Sequence, residues 1–192
     1  MEAERLLLYA RPVEAVSVAD YERLAEERLE RGAWDYFAGG AGDELTLRDN
    51  VLAYARWVLR PRVLVDVAET STATTVLGHD VSLPLLVAPV AFLRMAHVDG
   101  ELGLARAARD VGTVICLSTL TTEAPAEVGA VGGQRWFQLY VFRDPGLTSS
   151  LVEQAREFGF TALVLTVDAP LGGRRERDLR SGFSIPQGGL TS

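Results

Sequence analysis

Apolar and polar positions follow two different rhythms along this chain of 192 residues. Through about residue 60 the rhythm is helical. Ser17-Val18-Ala19-Asp20 reads as a capping box, in which a hydroxyl accepts from a free N–H and a carboxylate answers three residues on. Tyr21, Leu24, Ala25 and Leu29 follow at helical spacing, and Gly32 is expected to close the helix. A short piece, Trp34 to Ala38, leads into Gly39-Gly40-Ala41-Gly42. Asp43 to Tyr54 then predicts a further helix with acids at its positive end. Thr74 to Leu77 and Val81 to Leu83, joined by Gly78-His79-Asp80, predict a small hairpin over 74–83.

From Leu85 onward short apolar runs alternate with amphipathic ones. Leu85–Ala88, Thr113–Leu117, Arg135–Tyr140 and Ala162–Val167 read as strands, with starts 28, 22 and 27 residues apart. Between them Asp99–Asp110 (closed by Gly112), Pro125–Val131 and Leu147–Phe158 (closed by Gly159) read as helices. Parallel strands need a crossover of about this length, so the pattern predicts βα units on a parallel sheet. A doubly wound sheet and part of a (β/α)8 barrel both satisfy it. A dinucleotide-binding sheet should carry G-x-G-x-x-G after its first strand, and Pro89-Val90-Ala91 stands there instead. What recurs is a polar or special residue at each strand's carboxyl end: Pro89-Val90-Ala91, Ser118-Thr119, Gln138 and Tyr140, Thr166 and Asp168. In a barrel those ends converge on one face, where barrel active sites lie.

Composition narrows the chemistry. With 48% hydrophobic and 23% charged residues the chain can build a core. Twenty-six acids against nineteen bases leave a net charge of −7, and no basic stripe interleaves with aromatics, which argues against a nucleic-acid partner. Every base is Arg, so neither a Schiff-base lysine nor a P-loop lysine exists in this chain. One Cys (Cys116) and two His (His79, His97) exclude a disulfide within the chain and a four-ligand Cys/His zinc site. The apolar stretch Leu83–Leu93 is too short to span a membrane, and Leu6-Leu7-Leu8 too short for a signal-peptide core. The expectation is a soluble, cytoplasmic, acidic α/β protein with no membrane partner.

Five ordered stretches carry a closer resemblance: Asp35-Tyr36-Phe37-Ala38-Gly39-Gly40-Ala41-Gly42-Asp43; Leu59-Arg60-Pro61-Arg62; Ala88-Pro89-Val90-Ala91 with Met95-Ala96-His97; Trp136-Phe137-Gln138-Leu139-Tyr140; and Leu165-Thr166-Val167-Asp168-Ala169-Pro170 with Gly173-Arg174-Arg175-Glu176. With them the chain resembles the FMN-dependent L-2-hydroxy-acid oxidases and dehydrogenases, a family that includes glycolate oxidase, lactate oxidases and mandelate dehydrogenases. The resemblance implies a (β/α)8 TIM barrel with FMN across its mouth. It implies oxidation of a small L-2-hydroxy acid, lactate- or mandelate-like, to the 2-oxo acid, the electrons passing to FMN and then to O2.

By the same resemblance, the backbone of Pro89, Val90 and Ala91 approaches the flavin's central ring, and Ser118, Gln138 and Thr166 bond its polar edge. Tyr36 and Arg175 face the substrate carboxylate, and Tyr140, the catalytic residue implied here, lies beside the hydroxyl being oxidised. Glycolate-oxidising members carry Trp where Leu120 stands, so Leu120 implies a roomier substrate pocket. Arg174 and Arg177 read as solvated loop, His79 as surface in a turn, and His97 as carrying no chemistry. No metal is implied. The family's Ser-Asn-His-Gly base, carboxylate-clamping Arg, flavin-supporting Lys and phosphate-binding glycines are absent from this sequence. Residues 1–192 are therefore expected to form the amino-terminal half of one FMN-binding barrel domain: helical prelude 1–60, hairpin 74–83, and four βα units over 85–186. Four strands leave two open edges, so the chain is expected to pack against a carboxyl-terminal half, the completed barrels forming a homo-oligomer, a tetramer by resemblance. The alternatives are another flavin- or phosphate-binding barrel enzyme and a non-catalytic half-barrel binding module.

Overall fold

A computed structural model describes residues 15–168 and 171–184. Leu6-Leu7-Leu8, Ala169-Pro170 and the stretch from Pro186 onward lie outside the described residues. The first helix, α1 (Val18–Arg28), opens on the expected box: Asp20 N–H donates to Ser17 Oγ at 3.2 Å, and Ser17 N–H to the Asp20 carboxylate at 2.9 Å. It ends at Leu29, before Gly32. Gly32 instead sits inside α2 (Arg31–Ala38), where a Cβ would stand 2.5 Å from the Phe183 ring. The glycine marks a close approach rather than a helix end. The predicted Asp43–Tyr54 helix is α3 (Leu45–Leu52) followed by a 3-10 turn, Ala53–Arg56.

The hairpin is tighter than the sequence suggests. Strands β1 (Thr74–Val76) and β2 (His79–Val81) pair antiparallel with Val76 opposite His79, so the turn is Leu77-Gly78. Both turn residues have positive φ (46° and 78°), as a two-residue turn of the right twist requires. His79 is thereby a strand residue, half-buried beside Trp136. The hairpin leans on the amino-terminal side of the sheet through Ser82 N–H to Gly112 O (3.0 Å) and Gln134 Nε2 to Asp80 O (2.6 Å).

Strands β3 (Val114–Leu117), β4 (Gln134–Leu139) and β5 (Leu163–Leu165) form a parallel sheet in that order. The predicted first strand, Leu85–Ala88, joins it only at Val87, bridging Ile115 through Val87 N–H to Val114 O and Cys116 N–H to Val87 O, both 2.9 Å. Pro89 carries no N–H, while Leu85 N–H donates to Leu83 O and the Leu85 carbonyl is taken by the Thr113 hydroxyl, so the ladder stops on both sides of Val87. Helices α4 (Gly100–Val111), α5 (Pro125–Val131) and α6 (Pro145–Glu157) make the crossovers. Ala105, Ala108, Leu117, Val128, Ala155 and the edge-to-face pair Phe137–Phe160 (5.7 Å between rings) fill the space between helices and sheet. Burying a side chain such as Phe137 contributes about 1.5–3 kcal/mol.

The four strand positions run in sequence order with no reversal. A doubly wound sheet would reverse at a switch point, whereas consecutive neighbours are what an arc of a barrel wall shows. Beyond β5 the chain forms a short helix, α7 (Glu176–Ser181), where the sequence reading placed a solvated loop. Arg177 Nε meets Glu44 Oε1 at 2.6 Å, so Arg177 ties α7 to the loop before α3 rather than standing free in solvent.

Candidate active site

At the carboxyl ends of the strands a polar row crosses three of them. Gln138, 3% exposed in β4, donates from Nε2 to Thr166 Oγ1 at 2.8 Å. Its Oε1 accepts from Ser118 Oγ at 3.3 Å and from Thr119 N–H at 3.1 Å. The parallel register produces this: Leu117 lies opposite Phe137, and Gln138 opposite Val164, so the next residue of β3 and the end of β5 flank the amide. The amide is thus fixed in one orientation with an Nε2 hydrogen to spare, and the Thr166 hydroxyl keeps its own proton to donate. Ser118 also accepts from Leu120 N–H at 3.1 Å, which holds Leu120, half-buried, just beyond the row.

Beside the row lies the loop after Val87. Pro89 and Val90 are exposed and Ala91 is half-buried. Phe92, buried and in the left-handed region (φ 58°), donates its N–H to Leu120 O at 3.0 Å. That bond sets the open backbone of 89–91 next to Ser118–Leu120.

Tyr36, from α2, sits half-buried among the rings of Phe37, Phe92 and Phe183, with centroids at 5.3, 6.0 and 5.8 Å. Burial holds its phenol above the ordinary 10.0, against the pull of the nearby Arg175 cation; the Tyr140 phenol raises it further. Tyr36 and Tyr140 therefore share one neighbourhood. Arg175 joins them with its guanidinium carbon 5.4 Å from the Tyr36 ring centre. Its bonds are internal: Nε to Asp178 at 2.6 Å, Nη1 to Gly39 O at 3.0 Å, and Nη2 to Asp35 O and Tyr36 O at 3.1 and 2.5 Å. A cation on the free carbonyls of a helix end is favourable. The structure thus gives Arg175 an occupation the resemblance did not imply: it closes the end of α2 and positions Tyr36.

His97 is exposed and its Nδ1 accepts from Asp99 N–H at 3.1 Å, a local turn contact. Two participants went unnoticed in the sequence. Thr119, read only as a polar strand end, also accepts at Oγ1 from Tyr140 N–H at 3.2 Å. Glu101, 1% exposed, shares the buried stripe of α4 with Ala105 and Ala108; its spacing from them was the available signal.

The donor set fits the polar edge of an FMN ring, which offers two carbonyls and an N–H. A locked amide between two hydroxyls supplies donors and acceptors for it, beside exposed backbone that a flat ring can lie against. Consecutive parallel strands of this kind are the arc of a β/α-barrel wall, and the row stands at the end where such barrels carry their sites. A family model described as FMN-dependent dehydrogenase matches residues 25–191, and the chain belongs to that family.

Among curated relatives, an L-lactate oxidase of Nostoc sp. is 49% identical over 178 residues, covering 90% of this chain and 49% of the relative. Glycolate oxidase 3 of Arabidopsis thaliana is 45% identical over 177 residues, covering 92% and 48%. Among solved structures, a mandelate oxidase superposes with a TM-score of 0.87 at 44% identity, covering 90% of this chain and 50% of that one. The chain spans about half the length of the curated relatives it matches. Among the described residues no helix is long and apolar enough to cross a membrane.

Proposed function

We propose that this chain is the amino-terminal half of an FMN-dependent oxidase that converts an L-2-hydroxy acid to the 2-oxo acid. The Ser118–Gln138–Thr166 row, in a chain of this family, carries the reading. Bound FMN would supply the acceptor for two electrons, which pass on to O2. Gln138 and Thr166 would hold the ring's polar edge, with Ser118 keeping the amide in register. The backbone of Pro89, Val90 and Ala91 would lie against the ring. Tyr36, whose phenol carries its proton at neutral pH and is pushed by burial further above its ordinary 10.0, would donate to the substrate carboxylate. Tyr140 would stand beside the substrate hydroxyl, and Arg175 would act by positioning Tyr36. The base that takes the hydroxyl proton would come from the carboxyl-terminal half.

That half would cover the open edge of the sheet, where Leu163, Leu165 and Val167 are 47%, 52% and 81% exposed at β5 and just beyond it. The completed barrels would form homo-oligomers, with a tetramer expected, in the cytoplasm. The complete enzyme, purified, tests the reading: FMN is expected at one per barrel, with peroxide formed on addition of L-lactate or L-mandelate. Absence of both would overturn it.

A further inference from the structure

Glu101 is a carboxylate in a place where carboxylates are costly. It lies in the first turn of α4, 1% exposed. Its oxygens take donors from two different loops. Leu93 N–H, after the first strand position, and Thr122 N–H, after β3, reach Oε1 at 3.3 and 2.9 Å; the Thr122 hydroxyl donates to Oε2 at 2.6 Å. Thr122 Oγ1 in turn accepts from Arg94 N–H at 3.3 Å. The Arg94 guanidinium repeats the link, with Nε 2.8 Å from a carboxylate oxygen of Glu123, which is also buried. Phe92 N–H to Leu120 O, at 3.0 Å, closes the same gap on the site side.

Through Glu101 on α4, and directly through Arg94 and Phe92, these bonds join the loop that carries Pro89-Val90-Ala91 to the loop that carries Ser118 and Leu120. The strand ladder cannot do this, because Val87 is its single bridge there. We propose that Glu101 is a positioning residue for the FMN site: by binding Leu93 and Thr122 together it fixes the ring-facing backbone of 89–91 relative to the Ser118–Gln138–Thr166 row. It touches neither cofactor nor substrate. The inference rests on the FMN reading above.

Glu101→Gln keeps an acceptor at Oε1 for both N–H groups and lets the Thr122 hydroxyl turn round to accept from the new amide. Glu101→Leu keeps the approximate size and leaves two N–H groups and a hydroxyl without partners. Thr122→Val removes only the hydroxyl's share. Val128→Ala, in the core behind the sheet, lowers stability from a position that makes no bond to Glu101 or Thr122. FMN affinity of the deflavinated complete enzyme is read from quenching of flavin fluorescence on titration, and the visible circular dichroism of the bound flavin reports its setting. We expect Glu101→Leu to raise Kd at least tenfold and alter the dichroism. Thr122→Val should raise Kd severalfold, while Glu101→Gln and Val128→Ala stay within threefold of the parent. A Glu101→Leu or Thr122→Val enzyme that binds FMN like the parent would overturn the proposal, as would Val128→Ala weakening binding as much as Glu101→Leu, or Glu101→Gln failing as Glu101→Leu does. A parent that takes up no FMN would instead overturn the functional reading, and this inference with it.

Discussion

Gln138 Nε2 donates to Thr166 Oγ1 across 2.8 Å, joining the middle strand of the parallel sheet to its outer one at the carboxyl end. Because Ser118 and Thr119 hold the amide oxygen from the other side, Gln138 cannot turn over without breaking bonds on both neighbours. Gln138→Leu removes the amide and leaves those donors facing a hydrocarbon. A buried hydrogen-bond loss of about 1–3 kcal/mol corresponds to roughly ten- to a hundredfold weaker FMN retention in the complete enzyme. Dialysis followed by flavin absorbance measures it. Unchanged occupancy would make Gln138 a purely structural amide.

Arg175 binds three carbonyls at the end of α2 and the Asp178 carboxylate at once, which only a planar fork of donors can do. Arg175→Lys keeps the charge and loses the fork. Residues 171–184 should then open from α2 more readily, with amide exchange there faster by roughly tenfold, the low end for charge-assisted bonds on a part-exposed side chain. KM for the hydroxy acid should rise as Tyr36 loosens. Exchange rates equal to the parent's would show that Phe183 and Arg177 hold the segment without Arg175.

The Glu44–Arg177 pair predicts a pH response with a definite sign. Hydrogen bonding to the Arg177 guanidinium, and then to Gly40 N–H, holds the Glu44 carboxyl below its ordinary 4.5. A depressed carboxyl stabilises the fold above the ordinary value, and that contribution is lost as pH falls through the lower folded one. Contact between α7 and the loop before α3 should therefore weaken below about pH 4.5. Glu44→Gln should remove this part of the acid dependence. Thermal unfolding of the two proteins between neutral and acid pH, with curves of identical shape, would contradict it.

Leu120 sits half-buried beyond the polar row, its N–H on Ser118 Oγ and its carbonyl on Phe92 N–H. Those two bonds fix its backbone next to the ring-facing loop, so its side chain should form part of the substrate wall. The complete enzyme should show higher kcat/KM for lactate, longer aliphatic or mandelate-type acids than for glycolate. One methylene in an apolar pocket is worth about 1–3 kcal/mol, so the preference should reach tenfold. Leu120→Trp should reverse the ranking of mandelate against glycolate; an unchanged ranking would remove Leu120 from the pocket.

Much of the fold was legible because hydrophobic period and caps speak locally. The box at Ser17, the glycine ends at Gly112 and Gly159, and α5 at Pro125–Val131 all appear as the pattern predicts. The row of Ser118, Gln138 and Thr166 was legible too, since parallel register brings successive strand ends level. What the pattern hid was long-range. Gly32 looked like a helix end because nothing in its neighbourhood announces Phe183, some 150 residues later, lying against it. Arg177 looked solvated because its partner, Glu44, lies in the loop between α2 and α3, more than 130 residues earlier. Glu101 was passed over although it shares a helical face with Ala105 and Ala108, because a charge on an apolar stripe is usually a fault in the stripe rather than a clamp.

Anaerobic mixing of the purified complete enzyme with L-lactate and with L-mandelate tests the central claim most directly. The bound FMN is expected to lose its visible absorbance within the time of mixing or soon after, and to recover it when air is admitted, with release of the 2-oxo acid. An enzyme that carries FMN but stays coloured with every L-2-hydroxy acid offered would contradict the account.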